Sequence, residues 1–156
     1  MHRNSRQLLL CIAVPLAVGG LSAWLTRGSM RTFASLNKPP LSPPGWLFPV
    51  VWTLLFVLMG VASFLVLRSG QSQQAIRPAL QLYGIQLGVN FFWSIFFFNL
   101  SLYYFSFIWL VFLWFLILAA AVRFYRISRA AGLLMLPYLL WVAFAGYLNW
   151  GICRLN

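Results

Sequence analysis

The chain has 156 residues, of which 63% are hydrophobic, 19% aromatic and only 7% charged, and its mean hydropathy is +0.88. A chain this apolar has too little polar surface to cover a water-facing globule, which excludes a soluble domain. Eleven Lys and Arg stand against no Asp or Glu, giving a formal net charge of +11. Without carboxylates, the chain lacks the groups that carboxylate acid–base pairs, carboxylate metal sites and acidic proton relays require.

The basic residues lie at the ends of charge-free intervals rather than in one continuous patch. This distribution is typical of membrane anchoring and of contact with lipid headgroups, so the lipid bilayer is an expected partner. Nucleic acid is not expected as a partner, because no basic stretch is continuous or interleaved with exposed aromatic residues.

The charge-free intervals predict transmembrane helices. A bilayer core about 30 Å thick needs about 20 apolar residues per helix. We therefore predict one all-α membrane domain, residues 1–156, in which five transmembrane helices form a bundle. The third and fourth spans share more than forty uncharged residues, too many for one crossing, and Asn99-Leu100-Ser101 supplies the turn between them. The predicted spans are residues 7–26, 46–67, 79–99, 105–122 and 130–152.

The basic residues also predict the topology. Seven lie on the side of the N-terminus and four on the opposite side, which favours an N-in, C-out orientation. Helical apolar spans favour a bacterial inner membrane over an outer membrane. The seven are Arg3, Arg6, Arg68, Arg77, Arg123, Arg126 and Arg129, and the four are Arg27, Arg31, Lys38 and Arg154.

The connection after the first span contains the most specific local sequence, NKPPLSPPGW at residues 37–46. Four prolines within six residues are incompatible with a helix and favour a stiff, polyproline-like strap across one end of the bundle. Trp46 is expected at the membrane interface where the second span begins, and Phe33, Pro43, Pro44 and Trp46 are predicted to contact a ligand bound beneath the strap. An inert linker would need neither this stiffness nor the flanking aromatic residues Phe33 and Trp46.

Three spans each present a stripe of aromatic and polar residues at helical spacing. Polar amides in a bilayer face the bundle interior, so we expect the stripes to converge. For each single residue, interhelical hydrogen bonding and packing remain an alternative to ligand binding; for the whole set, a ligand cavity with a few convergent polar groups is favoured. The stripes are Trp52, Phe56, Met59 and Ser63; Gln86, Asn90, Trp93 and Ser94; and Tyr138, Trp141, Ala145 and Asn149.

The third span also carries a small-xxx-small pair, Gly84 and Gly88. At about 100° per residue, the two glycines lie roughly opposite the face of Gln86 and Asn90. If the amides face the cavity, the glycines face outward, which predicts a homodimer with this helix at its interface. Close packing within a single bundle is the alternative.

Metal and disulfide chemistry are not expected. His2 is the only histidine and lies at the terminus, so we expect no protein metal site, no tightly bound cofactor and no histidine ligand for any bound haem. Cys11 and Cys153 are predicted near opposite ends of the bundle, too far apart for a disulfide.

The strap, followed by Val51-Trp52-Thr53-Leu54-Leu55, resembles the TspO/MBR family of tryptophan-rich sensory proteins and the translocator protein. Later segments resemble the family in the same order, and the match spans nearly the whole chain. These segments are QLGVNFFWS at residues 86–94, LPYLLWVAFA at residues 136–145 and YLN at residues 147–149.

The resemblance implies a five-helix bundle, often dimeric, with a pocket beneath the first loop that binds porphyrin or haem and, in some members, sterols or benzodiazepine-type ligands. Some members are reported to promote light- and oxygen-dependent breakdown of protoporphyrin, and the two tryptophans implicated match Trp52 and Trp141. The family's pocket amide and hydroxyl fall on Asn90 and Ser94, and its loop motif falls on residues 43–44.

The chain departs from the family at Phe33 and Leu41, where the family carries other aromatic residues, so its ligand preference is expected to differ. A tetrapyrrole-binding sensor or carrier is the leading functional hypothesis. The alternative is a transporter of porphyrins or other amphipathic molecules such as sterol-like lipids, although the chain shows neither an internal repeat nor an intramembrane charge. A purely structural membrane subunit is a third possibility.

Overall fold

The structure, a computed structural model, describes residues 2–156. The side chain of His2, on which the prediction about haem ligation depends, lies outside the described residues. All regular structure in the described residues is helical, so the predicted all-α class is confirmed. The helices are α1 (His2–Thr26), α2 (Met30–Ser35), α3 (Leu47–Leu67), α4 (Gln73–Ser94), α5 (Tyr103–Ile127), α6 (Arg129–Leu134) and α7 (Leu136–Leu155).

Four segments of the described chain are long and apolar enough to cross a membrane: Arg3–Ser35, Leu47–Leu67, Tyr103–Ile127 and Arg129–Leu155. The remaining long helix, α4, has 22 residues but a more polar sequence. Its amides Gln86 and Asn90 are buried between helices, where they have hydrogen-bond partners and do not meet lipid. The five long helices together form the membrane bundle.

The core of the bundle is formed where α5 packs between α4 and α7 and where α1 packs along α3. Gly60 allows the second contact, because a Cβ there would lie 2.5 Å from the Cα of Ile12. Leu113, Ile117 and Phe124 of α5 are fully buried in the centre. Close packing of this kind is the main force that holds helices together in lipid, where the hydrophobic effect between them is absent.

The helices extend past the predicted spans. α5 continues to Ile127 and α4 begins at Gln73, six residues before the predicted start at residue 79. The charge-free intervals mark the apolar layer, whereas backbone hydrogen bonding continues each helix into the headgroup region. The turn after the third span lies where it was predicted: Ser101 has a φ of +53° and α5 begins at Tyr103.

The strap, residues 37–46, contains no helix and lies across the end of α7. The backbone N–H of Asn37 donates to Asn156 Oδ1 at 3.1 Å, and Asn156 Nδ2 donates to the carbonyl of Asn37 at 2.8 Å. Farther along, the Tyr147 hydroxyl donates to the carbonyl of Pro40 at 2.7 Å. These bonds connect the first connection to α7, 119 residues away in sequence at the Asn37–Asn156 pair.

Candidate functional site

A cavity of about 670 Å³ lies beneath the strap, between α1, α3, α4 and α7. This volume is within the range of about 300–1,000 Å³ that is typical of small-molecule sites. The wall is predominantly apolar, and aromatic rings supply much of it. These rings belong to Phe33, Phe48, Trp52, Phe56, Phe91, Trp93, Phe97, Phe98 and Trp141.

One wall of the cavity is made by small residues of α1. Gly19, Ser22, Ala23 and Thr26 recur at the spacing of one helical face and line the cavity. A Cβ at Gly19 would lie 2.3 Å from the Phe56 ring, so the glycine makes room for that ring. The α1 wall therefore consists of small side chains, while α3, α4 and α7 contribute aromatic side chains.

The rings of Trp52 and Trp141 lie in the aromatic wall. Trp52 stacks on Phe56 with ring centres 5.5 Å apart and an angle of 28° between the planes. Trp141 meets Phe48 edge-on, with ring centres 5.9 Å apart. Such contacts hold each indole in one orientation and leave part of its face toward the cavity.

The indole N–H of Trp141 differs from those of Trp93 and Trp109, which have partners. Trp93 donates to Asn149 Oδ1 at 3.1 Å, and Trp109 donates to the carbonyl of Val89 at 2.7 Å. In contrast, Trp141 Nε1 is buried and has no hydrogen-bond partner among the described residues. A buried donor without a partner is costly, so a group that accepts from it would be stabilising.

A buried hydrogen-bond network lies under the cavity. The Tyr138 hydroxyl accepts from Asn90 Nδ2 at 2.6 Å and donates to Gln86 Oε1 at 2.7 Å. Gln86 Nε2 in turn lies 3.9 Å from Met59 Sδ. The network joins α3, α4 and α7, which fixes the floor of the cavity.

A second polar pair fixes the side of the cavity nearer α5. Asn149 accepts from the Trp93 indole and donates from its Nδ2 to the carbonyl of Tyr103 at 2.9 Å. Both Trp93 and Asn149 are buried and line the cavity. The three predicted stripes therefore do meet at one place, and hydrogen bonds between helices hold them there.

Comparison with known proteins agrees with this architecture. Residues 11–155 match the sequence model of the TspO/MBR family. The chain belongs to this family. It is 40% identical to the tryptophan-rich protein TspO of Chlorobaculum tepidum, over 100% of this chain and 99% of the relative. It is also 36% identical to the translocator protein of Bos taurus, over 92% of this chain and 86% of the relative.

Most of the site residues predicted for this TspO/MBR chain lie in the cavity wall, and four lie outside it. Trp46 is 68% exposed at the start of α3, as befits an interfacial aromatic residue, and Pro44 is on the exposed side of the strap. Gln86 and Tyr138 are 0% exposed in the network under the floor. The predicted residues within the wall are Phe33, Pro43, Trp52, Phe56, Asn90, Trp93, Ser94, Trp141, Ala145 and Asn149.

Several wall residues were missed by the sequence analysis, including the small face of α1 and the cations Arg27 and Lys38. The α1 face is marked by small side chains, so neither polarity nor aromatic character distinguishes it in the sequence. The recurrence of Gly, Ser, Ala and Thr at helical spacing in α1 was the available signal. Arg27 and Lys38 were attributed to lipid headgroups alone.

Gly84 and Gly88 of α4 are exposed on the outside of the TspO/MBR bundle. A Cβ at either position would meet no atom within 4 Å among the described residues. These glycines therefore do not serve helix packing within the protomer, which was the alternative to a dimer interface. Their face is open to lipid or to a second copy of the chain.

Proposed function

We propose that this protein is a membrane tetrapyrrole-binding protein of the TspO type, which holds porphyrin or haem in the cavity beneath the strap. The observation that carries the proposal is the cavity wall itself. It combines aromatic surface from several helices with the buried indole N–H of Trp141, which has no partner among the described residues. Apolar cavities with few polar groups are typical of sites for flat, hydrophobic ligands.

Stacking and apolar burial account for binding in this proposal. A planar macrocycle can pack against Trp52 and its neighbour Phe56, and an indole N–H can donate to a ring nitrogen or a carboxylate. No set of three or more His, Cys, Asp or Glu side chains in the described part of the chain is arranged to hold a metal ion. No histidine or cysteine among the described residues lines the cavity, so in this proposal stacking and apolar burial supply the affinity, and not iron ligation by these residues.

We propose further that light- and oxygen-dependent degradation of protoporphyrin takes place in this cavity. An illuminated porphyrin transfers its excitation to oxygen, and an indole in contact with the ring can be oxidised or exchange an electron with it. This chemistry needs neither a carboxylate nor a protein-bound metal. In this proposal Trp52 and Trp141 take part in the reaction, because both line the cavity.

The test replaces Trp52 and Trp141 with Phe, singly and together, and measures protoporphyrin affinity and light-driven loss of absorbance separately. Phe keeps the stacking surface and removes the indole nitrogen, so we expect affinity to fall by no more than about tenfold, the contribution of one neutral hydrogen bond, while degradation falls sharply. Trp150→Phe, outside the cavity, is the matched control. If the double variant degraded protoporphyrin as fast as the parent, the two tryptophans would only contribute to packing.

The alternative function is transport of amphipathic molecules. It is supported by the name of the Bos taurus relative, translocator protein. A binding protein saturates at a fixed ratio of ligand to protein, whereas a transporter accumulates or equilibrates ligand inside sealed vesicles. Flux of protoporphyrin into proteoliposomes that exceeds binding stoichiometry would favour transport.

We also propose that the protein lies in a bacterial inner membrane with its N-terminus inside, so that the strap faces outward. The seven-to-four distribution of bases supports this orientation. Labelling of single cysteines introduced in the strap and at residue 70, between α3 and α4, would test it in intact cells.

A further inference from the structure

Two cations lie in the wall of the cavity, at the end that the strap covers. Arg27 begins the short helical turn, Arg27–Ser29, that follows α1, and Lys38 lies in the strap itself. They are the charged residues of the cavity wall in the described part of the chain. Because the sequence contains no Asp or Glu, no side chain can neutralise either of them.

Neutral groups of the protein hold both cations in place. Lys38 Nζ donates to the carbonyls of Ala34 and Leu36, each at 3.3 Å, and lies 4.9 Å from the centre of the Phe33 ring. Lys38 is half-buried. A half-buried ammonium whose partners are carbonyls and a ring gains from an additional anion, because dipoles and π faces compensate only part of its charge.

Arg27 is held in a similar way but is more exposed. Its guanidinium lies 4.2 Å from the centre of the Trp24 ring and donates to the carbonyl of Trp24. A guanidinium has five N–H donors and an ammonium has three, so both side chains retain donors after these contacts. Spare charged donors are therefore available at the mouth of the cavity.

The deeper part of the cavity, unlike its mouth, has no charged side chain in the described part of the chain. Its amides are uncharged and already paired, since Asn90 donates to Tyr138 and Asn149 donates to the carbonyl of Tyr103. The cavity is thus polarised, with a neutral aromatic interior and a cationic mouth. A ligand complementary to it has a flat apolar body and negative charge at one edge.

We propose that Arg27 and Lys38 bind the carboxylate groups of the ligand and so make the cavity selective for amphipathic anions over neutral molecules of the same shape. This rests on the proposed function, because it specifies which edge of a tetrapyrrole lies at the strap. Charge-assisted hydrogen bonds from ammonium and guanidinium groups are the strong ones, and a guanidinium can contact a carboxylate with two parallel bonds.

The test compares protoporphyrin IX, which carries two carboxylates, with its uncharged dimethyl ester, in a neutral detergent. The variants are Arg27→Gln, Lys38→Gln and the double variant. Arg31→Gln is the matched control, because Arg31 lies in the same connection, is exposed and does not line the cavity. For each ligand, the affinity of a variant is divided by that of the parent. Because the same ligand partitions into the micelles equally in both measurements, this partition does not affect the ratio.

We expect the double variant to bind the diacid about tenfold more weakly than the parent, the effect of a single charge-assisted bond after solvent screening. Binding of the ester should be unchanged, and Arg31→Gln should bind both ligands like the parent. Added salt should weaken binding of the diacid but not of the ester.

Three results would overturn the inference or its basis. Equal binding of the diacid by the parent and the double variant would leave the two cations as contacts for lipid headgroups. Equal losses for diacid and ester would show that the variants disturb the cavity rather than a carboxylate contact. If the parent protein bound neither ligand, the proposed function itself would be wrong, and this inference with it.

Discussion

Replacing Tyr138 with Phe should destabilise the protein while leaving ligand binding nearly intact. The Tyr138 hydroxyl makes two buried hydrogen bonds, with Asn90 at 2.6 Å and with Gln86 at 2.7 Å, and the side chain is 0% exposed. Loss of the hydroxyl leaves the Gln86 oxygen without that partner in a fully buried position. Asn90 lines the cavity and can turn to water or ligand there.

The expected loss in the free energy of unfolding follows from the two hydrogen bonds that Tyr138→Phe removes. Interhelical hydrogen bonds in membrane proteins contribute about 0.6 kcal/mol on average and up to about 1.7 kcal/mol. An unpaired buried acceptor adds a penalty of about 1–3 kcal/mol when it cannot find another partner. We therefore expect a decrease of about 1–3 kcal/mol in the free energy of unfolding, measured by reversible denaturation in mixed micelles.

Tyr147→Phe is the matched control, because its hydroxyl makes one exposed bond, to the carbonyl of Pro40 at 2.7 Å. This loss should cost less than about 1 kcal/mol, since water can replace the bond. The affinity for protoporphyrin should change less than about threefold in Tyr138→Phe, because the hydroxyl lies under the cavity wall. A stability equal to that of the parent, or a loss of binding larger than the loss of stability, would refute this account of Tyr138.

Two further predictions concern haem and assembly. Metal-free protoporphyrin should bind within about threefold of haem, because His2 is the only imidazole and stacking dominates the affinity, and a large preference for haem in parallel titrations would contradict the cavity described here. We propose that two copies of the chain associate through the open glycine face of α4, and Gly88→Leu should then shift the detergent-solubilised protein from dimer to monomer in analytical ultracentrifugation. Gly20→Leu, also on an open surface but on α1, should leave the dimer intact; an unchanged dimer in Gly88→Leu would place the interface elsewhere.

The all-helical membrane fold could be predicted from the sequence because hydropathy and the position of charges report directly on the bilayer. The intervals between bases gave the spans, and Asn99-Leu100-Ser101 gave the hairpin, which the structure places at Ser101. The helix ends could not be predicted, since a helix continues as long as its backbone is hydrogen-bonded, past the apolar layer. Gln73, for instance, begins α4 in a polar segment that hydropathy does not mark.

The cavity could be predicted only in part. Asn90, Trp93 and Asn149 were identifiable because a polar group in a bilayer needs a partner, which directs it inward. Whether an inward polar residue meets a ligand or only another helix depends on depth along the bundle, and periodicity does not report depth. Gln86 and Asn90 illustrate this: they lie four residues apart on one face, yet only Asn90 reaches the cavity.

The cavity itself arises from a difference in side-chain size between neighbouring helices. α1 presents the small side chains of Ser22 and Ala23 to the cavity, while Gly19 lets the Phe56 ring pack closely against the helix, so the aromatic wall faces little side-chain volume. The strap then covers the open end, because Asn37 and Asn156 hold it to α7. Aromatic residues and prolines form distinctive sequence motifs. The small residues that leave space for the cavity do not form such a motif. A stripe of small residues facing an aromatic stripe across a helix pair is therefore as informative about a binding site as the aromatic motif alone.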